Sequence, residues 1–430
     1  MKSQHIRIKN FGPIKSIDMD LKRFSFFIGL QGSGKSTVAK IVSYCMWVEK
    51  EFSTTFSNEL FATKEQFMNR LLEFHKLNGY NKPNTEIYYD TDFIHIEYSE
   101  SSYNVEIKNK FKYKKSKILY VPSERNLTIM PDFEKVNLGN NSMRSFLFDW
   151  FEARKKYSRT QTLEVFDLGI RYFSEEAGGL RQNRLIHQNG NSFEISLSDA
   201  SSGMQSVIPL EVVIDYFTST YYNEKENADT SFFYKEKQQK IYASLLTEFV
   251  LENENVDIEK SLLKISTWLK TIANHDVQDN DPFIEAFDNL IFPHLTHFII
   301  EEPEQNLYPT TQKAFLEFLI ASCNKEGRKH SCLITTHSPF LLNYLTLFVK
   351  ASQIIKKGGK RQTKDLSKFV SLDSIVDVDE FDIFEFKNGF AEKLSKQYDL
   401  PSDENLLNKL LEETNQVFGD LLELEDLCQK

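Results

Sequence analysis

The sequence is poor in the features that mark secreted, zinc-binding and membrane-spanning proteins. Its 430 residues include four cysteines, and the spacing of Cys45, Cys323, Cys332 and Cys428 matches neither a disulfide framework nor a metal site. No stretch approaches the roughly 18 consecutive apolar residues of a membrane-spanning helix, and the first residues contain no apolar signal segment. We therefore expect a cytoplasmic protein with reduced thiols and no membrane contact.

Positive charge is also scarce. The formal net charge is −10, from 52 Lys and Arg against 62 Asp and Glu. This balance excludes a uniformly basic nucleic-acid binder, although it leaves room for a local basic surface. The hydrophobic content of 40% and the 36 phenylalanines are typical of a globular protein with a large core, and the length predicts two or three lobes.

Residues 29–36 read Gly-Leu-Gln-Gly-Ser-Gly-Lys-Ser and match the phosphate-loop pattern G-x-x-x-x-G-K-[ST]. An apolar run precedes the loop and a helical pattern follows it, which is the context that this motif requires. Backbone N–H groups of such a loop and the N-terminus of the next helix bind phosphate. The sequence thus predicts a bound nucleoside triphosphate with Mg²⁺, and the binding residues would be Gly29, Gln31, Gly32, Ser33, Gly34, Lys35, Ser36 and Thr37.

Two further segments supply candidate catalytic groups. The apolar run 298–300 ends in Glu301 and Glu302. We expect Glu301, with Ser36, to hold Mg²⁺, and Glu302 to orient or deprotonate the attacking water. His337 follows the apolar run 332–335, where it is expected to contact the γ-phosphate as a second catalytic residue. The alternative interpretations are solvated acids at a strand end and a structural histidine.

Residues 197–205 predict a second anion site. Ser201, Ser202 and Gly203 precede a predicted apolar helix, so backbone N–H groups would point at an anion. The segment lacks a lysine and lies far from the phosphate loop in sequence. We therefore expect it, together with Gln205, to bind the γ-phosphate held by another protomer. A simple helix cap is the alternative interpretation.

The order of these motifs resembles the ABC-type ATPase heads of the RecF, SMC and OLD group. Ser-Ser-Gly-Met-Gln at 201–205 resembles the family's L-S-G-G-Q signature, and Glu-Glu-Pro-Glu-Gln-Asn-Leu-Tyr-Pro at 301–309 resembles E-E-P-E-x-x-L-H-P. The resemblance implies that Glu301 takes the Walker B position, that Glu302 is the catalytic base, and that two protomers sandwich ATP. Tyr308 replaces the family's histidine. Residues 120–126 stand where a glutamine loop is usual, so Arg125 is expected to face phosphate or to lie in a plain turn.

The resemblance also implies the fold class, an α/β ABC-type P-loop head with a mixed sheet, an antiparallel N-terminal subsheet and a helical insertion lobe. The expected organisation is a first part of the ATPase core at 1–125, a helical lobe at 126–292 with a helical insertion at 213–290, a second part of the core at 293–350, and a C-terminal tail with an acidic helix at 351–430.

Two functions remain open at this stage. The build resembles stand-alone ATPase subunits of anti-phage systems such as Septu and PARIS, which work with a separate effector nuclease. Too few residues follow 350 for a nuclease domain in the same chain. The alternative is a RecF/SMC-like ATPase acting directly on DNA, for which Lys108–Lys117 offers a basic strip; an edge strand guarded by lysines explains that strip equally well. The C-terminal helix is expected either to dock on its own lobe or to bind a partner.

Overall fold

The computed structural model describes residues 4–55, 59–108, 112–130, 133, 136, 138–166, 168–188, 190, 192–222, 282–325, 327–358 and 364–428. Its strands are β1 Gln4–Phe11, β2 Ile14–Leu21, β3 Phe24–Gly29, β4 Glu86–Asp90, β5 Ile94–Tyr98, β6 Tyr103–Ile107, β7 Ser116–Val121, β8 Leu163–Glu164, β9 Ile170–Ala177, β10 Leu180–His187, β11 Phe193–Ser196, β12 Leu295–Glu301, β13 Ser331–Thr335, β14 Phe381–Lys387, β15 Phe390–Lys393, β16 Lys396–Gln397 and β17 Leu400–Pro401. Its α-helices are α1 Lys35–Thr55, α2 Lys64–Phe74, α3 Ser142–Ala153, α4 Ser202–Thr218, α5 Pro282–Ile291, α6 Pro309–Cys323, α7 Pro339–Lys357 and α8 Leu406–Cys428.

One large mixed sheet organises the described residues, in the order β6-β5-β4-β1-β2-β15-β14-β3-β13-β12-β7. Strands β1, β2, β4, β5 and β6 pair antiparallel, whereas β14, β3, β13, β12 and β7 run parallel to one another. The predicted mixed sheet with an antiparallel N-terminal part is confirmed. Because parallel strands bring their carboxyl ends to one edge, the loops after β3, β12 and β13 meet there.

The parallel strands are buried on both faces, which explains their continuous apolar sequences. Alternate residues of β3 enter different cores: Phe24 and Phe26 pack with α3, α4, α6 and α7, while Phe27 packs with α1 and the antiparallel strands. The loop between β3 and α1 is therefore held by packing on both sides of the sheet. Among the described residues, no helix is long and apolar enough to cross a membrane.

The lobe at 126–292 differs from the helical expectation. It contains α3 and α4, but residues 163–196 form a separate four-stranded antiparallel sheet in the order β11-β10-β9-β8. Its central hairpin turns at Gly178 and Gly179, both in the left-handed region with φ of 62° and 77°. A Gly-Gly pair between two eight-residue strands is a typical two-residue hairpin turn. This local signal was present in the sequence and was missed.

The segment at 351–430 is not a tail. Strand β14 inserts between β3 and β15 and pairs parallel to the phosphate-loop strand, with Phe386 opposite Gly29. The chain thus completes the large mixed sheet with residues more than 350 positions after β3. Most of the predicted insertion at 213–290 lies outside the described residues; its ends, 213–218 in α4 and Pro282–Ile291, are helical.

Candidate nucleotide-binding site

The phosphate loop connects β3 to α1 and depends on glycine backbone geometry. Gly29, Gly32 and Gly34 have φ of 141°, 72° and 106°, values that residues with a Cβ rarely adopt. The loop closes onto the helix where the Val38 amide donates to the Gly34 carbonyl at 3.0 Å. The first turn of α1 therefore follows the loop directly, and its unpaired N–H groups form an anion site.

Gly29 has a second reason to be glycine. A Cβ at this position would lie 2.3 Å from the carbonyl oxygen of Phe386 in β14. A side chain there would push β14 away from β3. The sequence motif identifies this glycine, but only the fold shows that a C-terminal strand presses against it.

Lys35 is almost completely buried, and its ammonium group donates to the carbonyls of Gly29 and Leu30, both at 2.9 Å. Burial lowers the pKa of Lys35 to about 8, although the carboxylates of Glu302 and Glu304 oppose this shift. The cation therefore lies inside the phosphate loop and close to the carboxylates that follow β12. An incoming phosphate would provide the strong acceptor that this buried charge needs.

Glu301 ends β12 and lies opposite Thr335 of β13, which itself pairs with Phe27 of β3. With strands about 4.8 Å apart, Glu301 is roughly 10 Å from the phosphate-loop strand. One carboxylate oxygen accepts from the Ser123 amide at 3.4 Å. The other is buried, has no hydrogen-bond partner, and lies 4.0 Å from the Lys40 ammonium.

Glu302 has a strained backbone. Its φ is 44°, in the left-handed region that non-glycine residues seldom occupy. Three hydrogen bonds hold it there: its amide donates to the Thr335 carbonyl at 2.9 Å, and its carbonyl accepts from the Gln305 amide and the Arg125 guanidinium. Strain of this kind concentrates at functional sites, where surrounding structure imposes it. It turns the Glu302 side chain out of the strand, where it is partly exposed to solvent.

His337 lies beside this carboxylate. Its Nε2 is 3.7 Å from Glu302 Oε1, and its backbone amide donates to Glu304 at 2.6 Å. Burial lowers the pKa of His337, as does the Lys35 cation, while the Glu302 carboxylate raises it. The imidazole therefore lies close to both Glu302 and Lys35. The structure brings together three of the sequence-predicted groups, Lys35, Glu302 and His337, at the carboxyl edge of the parallel strands.

The surroundings fit a polyphosphate with a divalent cation. Five residues at this edge of the sheet each have a buried side-chain oxygen without a hydrogen-bond partner among the described residues: Ser33, Glu301, Glu304, Gln305 and Thr335. Within the described ranges, no group of three or more His, Cys, Asp or Glu side chains could hold a metal by itself. Mg²⁺ commonly binds through one or two protein groups together with substrate phosphates. The donor set of Ser36 and Glu301 matches that mode.

The signature segment forms the start of α4. Ser201 is the residue that precedes the helix, and its side chain caps no backbone amide. Ser202 is exposed. Gln205, a predicted phosphate contact, donates its amide hydrogens to the carbonyls of Ser198 and Ala200 at 2.8 and 3.0 Å. In this structure the glutamine therefore braces the turn that presents Ser201 and Ser202.

Gly203 packs against the site of its own chain. A Cβ there would lie 2.9 Å from the Asn306 carbonyl, in the loop that follows Glu302. Asn306 itself has φ of 62°. A substitution at Gly203 would thus disturb this contact within one chain. A substitution at the exposed Ser202 would leave the contact intact.

Arg125 does not face a phosphate. Its side chain is completely buried, and it donates to the backbone carbonyls of Glu301 and Glu302 and to Ser206. The expectation that it faces phosphate is wrong, because α4 covers the strand end where Arg125 lies. A charged residue after an apolar strand carries no sequence signal of such burial.

The predicted basic strip is only partly available. Lys108 pairs with Asp90, Lys115 donates to the Ile291 carbonyl at 2.6 Å, and Lys117 pairs with Asp149 at 2.5 Å. Lys112 and Lys114 are exposed, but they lie between β6 and β7 rather than on a strand. Lys110 lies outside the described residues. The strip is therefore not one continuous face of a strand.

A family model described as "AAA domain, putative AbiEii toxin, Type IV TA system" matches residues 290–343. This segment contains β12, the two carboxylates, β13 and His337. It covers the second half of the site but less than half of the chain. In the order of its motifs, the chain resembles ABC-type ATPases of the RecF and SMC group. A comparison with curated proteins finds no match.

Solved structures similar to this one include SMC head domains and RecF. An SMC head domain from Thermotoga maritima is 9% identical, with 92% of this chain and 100% of that chain covered and a TM-score of 0.36. An SMC head from Pyrococcus furiosus with an extended coiled coil is 10% identical over 98% and 100%, with a TM-score of 0.36. The recombination mediator RecF is 11% identical over 92% and 99%, with a TM-score of 0.29. At such low identities and TM-scores, we draw no functional conclusion from these structures.

Proposed function

We propose that this protein is an ABC-type ATPase that dimerises around ATP and uses slow hydrolysis to regulate a partner protein. The observation that carries the proposal is the convergence of Lys35, Glu302 and His337 around the Gly29 loop. Lys35 and the N-terminus of α1 would bind the β- and γ-phosphates. Ser36 and Glu301 would hold Mg²⁺, which would supply positive charge to neutralise the charge that develops on the phosphates.

Hydrolysis then requires a base and a group that senses the γ-phosphate. The Glu302 carboxylate is turned away from the strand by its backbone, in position to accept a proton from an attacking water. The neutral imidazole of His337 can donate a hydrogen bond without adding positive charge. A hydrogen bond from His337 to the γ-phosphate would link the state of the nucleotide to the loop that Glu304 holds.

Exposed apolar side chains support the proposal that another protomer covers this edge. Five of them stand on or beside the loops that carry the motifs: Leu30, Leu127, Met130, Tyr308 and Phe340. Large exposed apolar side chains grouped on one face mark interaction sites more often than free surface. A second copy placed there would bring its own Ser202 helix N-terminus to the nucleotide.

A test in trans separates this arrangement from a monomeric site. Ser202→Glu should leave ATP binding to the same chain intact, because Ser202 lies on the exposed start of α4, but should repel the γ-phosphate held by the partner. Ser202→Glu and Lys35→Ala homodimers should each hydrolyse ATP poorly. Mixed dimers contain one composite site that lacks both changes, so they should hydrolyse ATP faster than either homodimer, up to about half of the wild-type activity per dimer.

The control for that experiment is a mixture of Ser202→Glu protein with Glu302→Gln protein. This mixture should also recover activity. Ser202→Glu of one chain and Glu302→Gln of its partner fall in one composite site, so the second composite site carries neither change. If verified heterodimers of either kind recover no activity above the two homodimers, the sandwich is wrong.

The C-terminal helix supports a protein partner. Helix α8 is anchored at its start, where Leu407 is buried and the Leu406 amide donates to Glu385 at 2.8 Å. Beyond Asn408, almost every described side chain of this helix is exposed. The exposed residues include a wide apolar stripe, formed by Leu410, Leu411, Val417, Phe418, Leu421, Leu422 and Leu424. A helix without tertiary packing is marginally stable in water, so we infer that another molecule packs against this stripe.

Charge identifies the class of occupant. Leu410, Val417, Leu421 and Leu424 follow the spacing of a coiled-coil seam. The charged residues that flank the seam, Glu413, Asp420 and Glu425, are all acidic. Two copies of α8 would place like charges opposite one another in either orientation. We therefore assign the stripe to an amphipathic helix of another protein with lysine or arginine beside its own apolar seam. On this basis the ATPase would control a separate effector, as in an anti-phage defence system.

A peptide pair tests this surface. A synthetic amphipathic leucine–lysine helix should bind the full chain saturably at one per α8, measured by fluorescence anisotropy, and a leucine–glutamate helix should not. The double change Phe418→Ser and Leu421→Ser should weaken binding at least tenfold, because two large apolar side chains leave the contact. Gln416→Ser, on the opposite face of the helix, is the matched control. Equal binding of both peptides, or dimerisation through α8 that the double change abolishes, would contradict the assignment.

Direct action on DNA is the alternative function. Among the described lysines of the strip, its support is limited to the exposed Lys112 and Lys114, since Lys108, Lys115 and Lys117 already contact acidic or carbonyl groups of the chain. A low-salt filter-binding titration with ATP decides it: retention of duplex DNA that Lys112→Glu and Lys114→Glu abolish would favour this alternative over the effector model.

A further inference from the structure

Arg125 connects two functional elements inside one chain. Its guanidinium donates to the carbonyl of Glu301 at 3.0 Å and to that of Glu302 at 3.0 Å. On its other side it donates to the carbonyl and the hydroxyl of Ser206, at 3.2 and 3.0 Å. Glu301 and Glu302 end β12, and Ser206 lies in the second turn of the signature helix α4. Four hydrogen bonds from one side chain therefore join the catalytic strand end to α4.

The connection is buried and charged. Arg125 is 0% exposed, and burial lowers its pKa to about 10, while three nearby carboxylates raise it. The side chain thus remains a cation at neutral pH. A buried cation is costly unless all its donors are satisfied, and apolar packing is often the more stable solution. The planar guanidinium group of arginine donates several hydrogen bonds in fixed directions, so it can hold two elements at a set distance.

A second contact ties the same elements together. The start of α4 approaches the loop after Glu302 so closely that a Cβ at Gly203 would lie 2.9 Å from the Asn306 carbonyl. The N-terminal turn of α4 and the loop 302–306 therefore form one unit, held by Arg125 from inside and by the Gly203 contact at the surface. A displacement of α4 would shift the backbone of Glu302, since the Arg125 hydrogen bond is one of the three that hold its left-handed conformation.

We propose that Arg125, through Ser206, couples the two ATP sites of the dimer. The inference rests on the proposed function: in an ATP sandwich, Ser202 of one chain contacts the partner's nucleotide, while Glu302 of that chain serves its own. A link between α4 and Glu302 within one chain is then a link between the two sites. Arg125 is a positioning residue, because it touches neither nucleotide and acts through the backbone of Glu302.

The coupling predicts cooperative hydrolysis. Binding of ATP at one site seats the opposite chain's α4, and Arg125 then steadies the strained backbone of that chain's Glu302 and speeds hydrolysis there. A site whose neighbour is empty hydrolyses ATP more slowly but is not inactive. The wild-type protein should show a Hill coefficient above 1, up to the limit of 2 for two sites. If each site affected the other by the 5- to 150-fold typical of allosteric coupling, the effect would be clear in a titration of rate against ATP concentration.

Ser206→Ala is the variant that tests the link with least damage. It removes one of the four hydrogen bonds and leaves the carbonyl contact in place. We expect the Hill coefficient to fall toward 1 and the rate at saturating ATP to drop several-fold, while ATP affinity under non-hydrolysing conditions changes less than threefold. Ser174→Ala is the matched control. Ser174 lies on β9 of the separate antiparallel sheet, and its buried hydroxyl donates to the Arg154 carbonyl. It should leave the Hill coefficient unchanged.

Arg125→Lys is a second variant, which keeps the positive charge but loses the planar guanidinium group. It should reduce the Hill coefficient as Ser206→Ala does, with ATP binding intact. A wild-type Hill coefficient of 1, or unchanged cooperativity in folded Ser206→Ala and Arg125→Lys proteins, would overturn the coupling. Failure of the proposed function would appear differently, as a wild-type protein that does not bind ATP or whose hydrolysis survives in Glu302→Gln.

Discussion

Glu302→Gln is expected to leave ATP binding unchanged and to slow hydrolysis by roughly 100-fold or more, because it removes the general base. The glutamine can keep the same size and the same backbone hydrogen bonds, so the fold should be preserved. Without hydrolysis the ATP-bound dimer should persist. Single-turnover kinetics and analytical gel filtration with ATP measure the two effects.

Glu301→Gln is the informative comparison, since the two residues are adjacent and differ in role. Glu301→Gln should weaken the dependence of ATP affinity on Mg²⁺, whereas Glu302→Gln should leave that dependence unchanged. If Glu301→Gln alone stopped turnover while Glu302→Gln turned over normally, the roles assigned to the two carboxylates are reversed.

Lys35→Ala is expected to lower ATP affinity at least 100-fold, because two charge-assisted contacts to phosphate are lost. Each such contact contributes about 1.5–3 kcal/mol, and every 1.4 kcal/mol is tenfold in affinity. Titration calorimetry measures the change. Lys9→Ala, which removes an exposed lysine paired with Glu86, is the control and should bind normally. Unchanged affinity in Lys35→Ala would rule out the phosphate-loop assignment.

The same lysine predicts how ATP binding depends on pH. Burial lowers the pKa of Lys35 to about 8 in the free protein, whereas bound phosphate favours the cation. Below pH 8 the lysine is already protonated and affinity should be constant. Above pH 8 binding must take up a proton, so affinity should fall by up to about tenfold per pH unit. Calorimetry at pH 9 in two buffers of different ionisation enthalpy should report uptake of close to one proton, and Lys35→Ala should show none.

The motifs at strand ends could be identified from the sequence because each consists of residues that are neighbours in the chain. The phosphate loop, the Glu301–Glu302 pair and His337 all follow apolar runs, and the structure places each run as a parallel strand ending at the same edge. Parallel pairing then brings the residues together without further sequence information.

Arg125 shows where this reasoning stops. In the sequence it resembles any charged residue in a turn after a strand. Its burial depends on α4, which begins more than 70 residues later and covers the strand end. The same holds for β14, which completes the sheet beside β3 although its sequence only indicates a strand near the C-terminus.

The sequence by itself indicated the nucleotide chemistry that we propose, because a glycine-rich loop ending in lysine and acids at a strand end follow from residue type and local order. The tertiary structure alone decided which elements lie side by side: β14 against the phosphate loop, α4 over the carboxylates, and Arg125 between them. Those contacts join residues far apart in the chain, and their free energy comes from packing and hydrogen bonds that form only when the whole sheet is assembled.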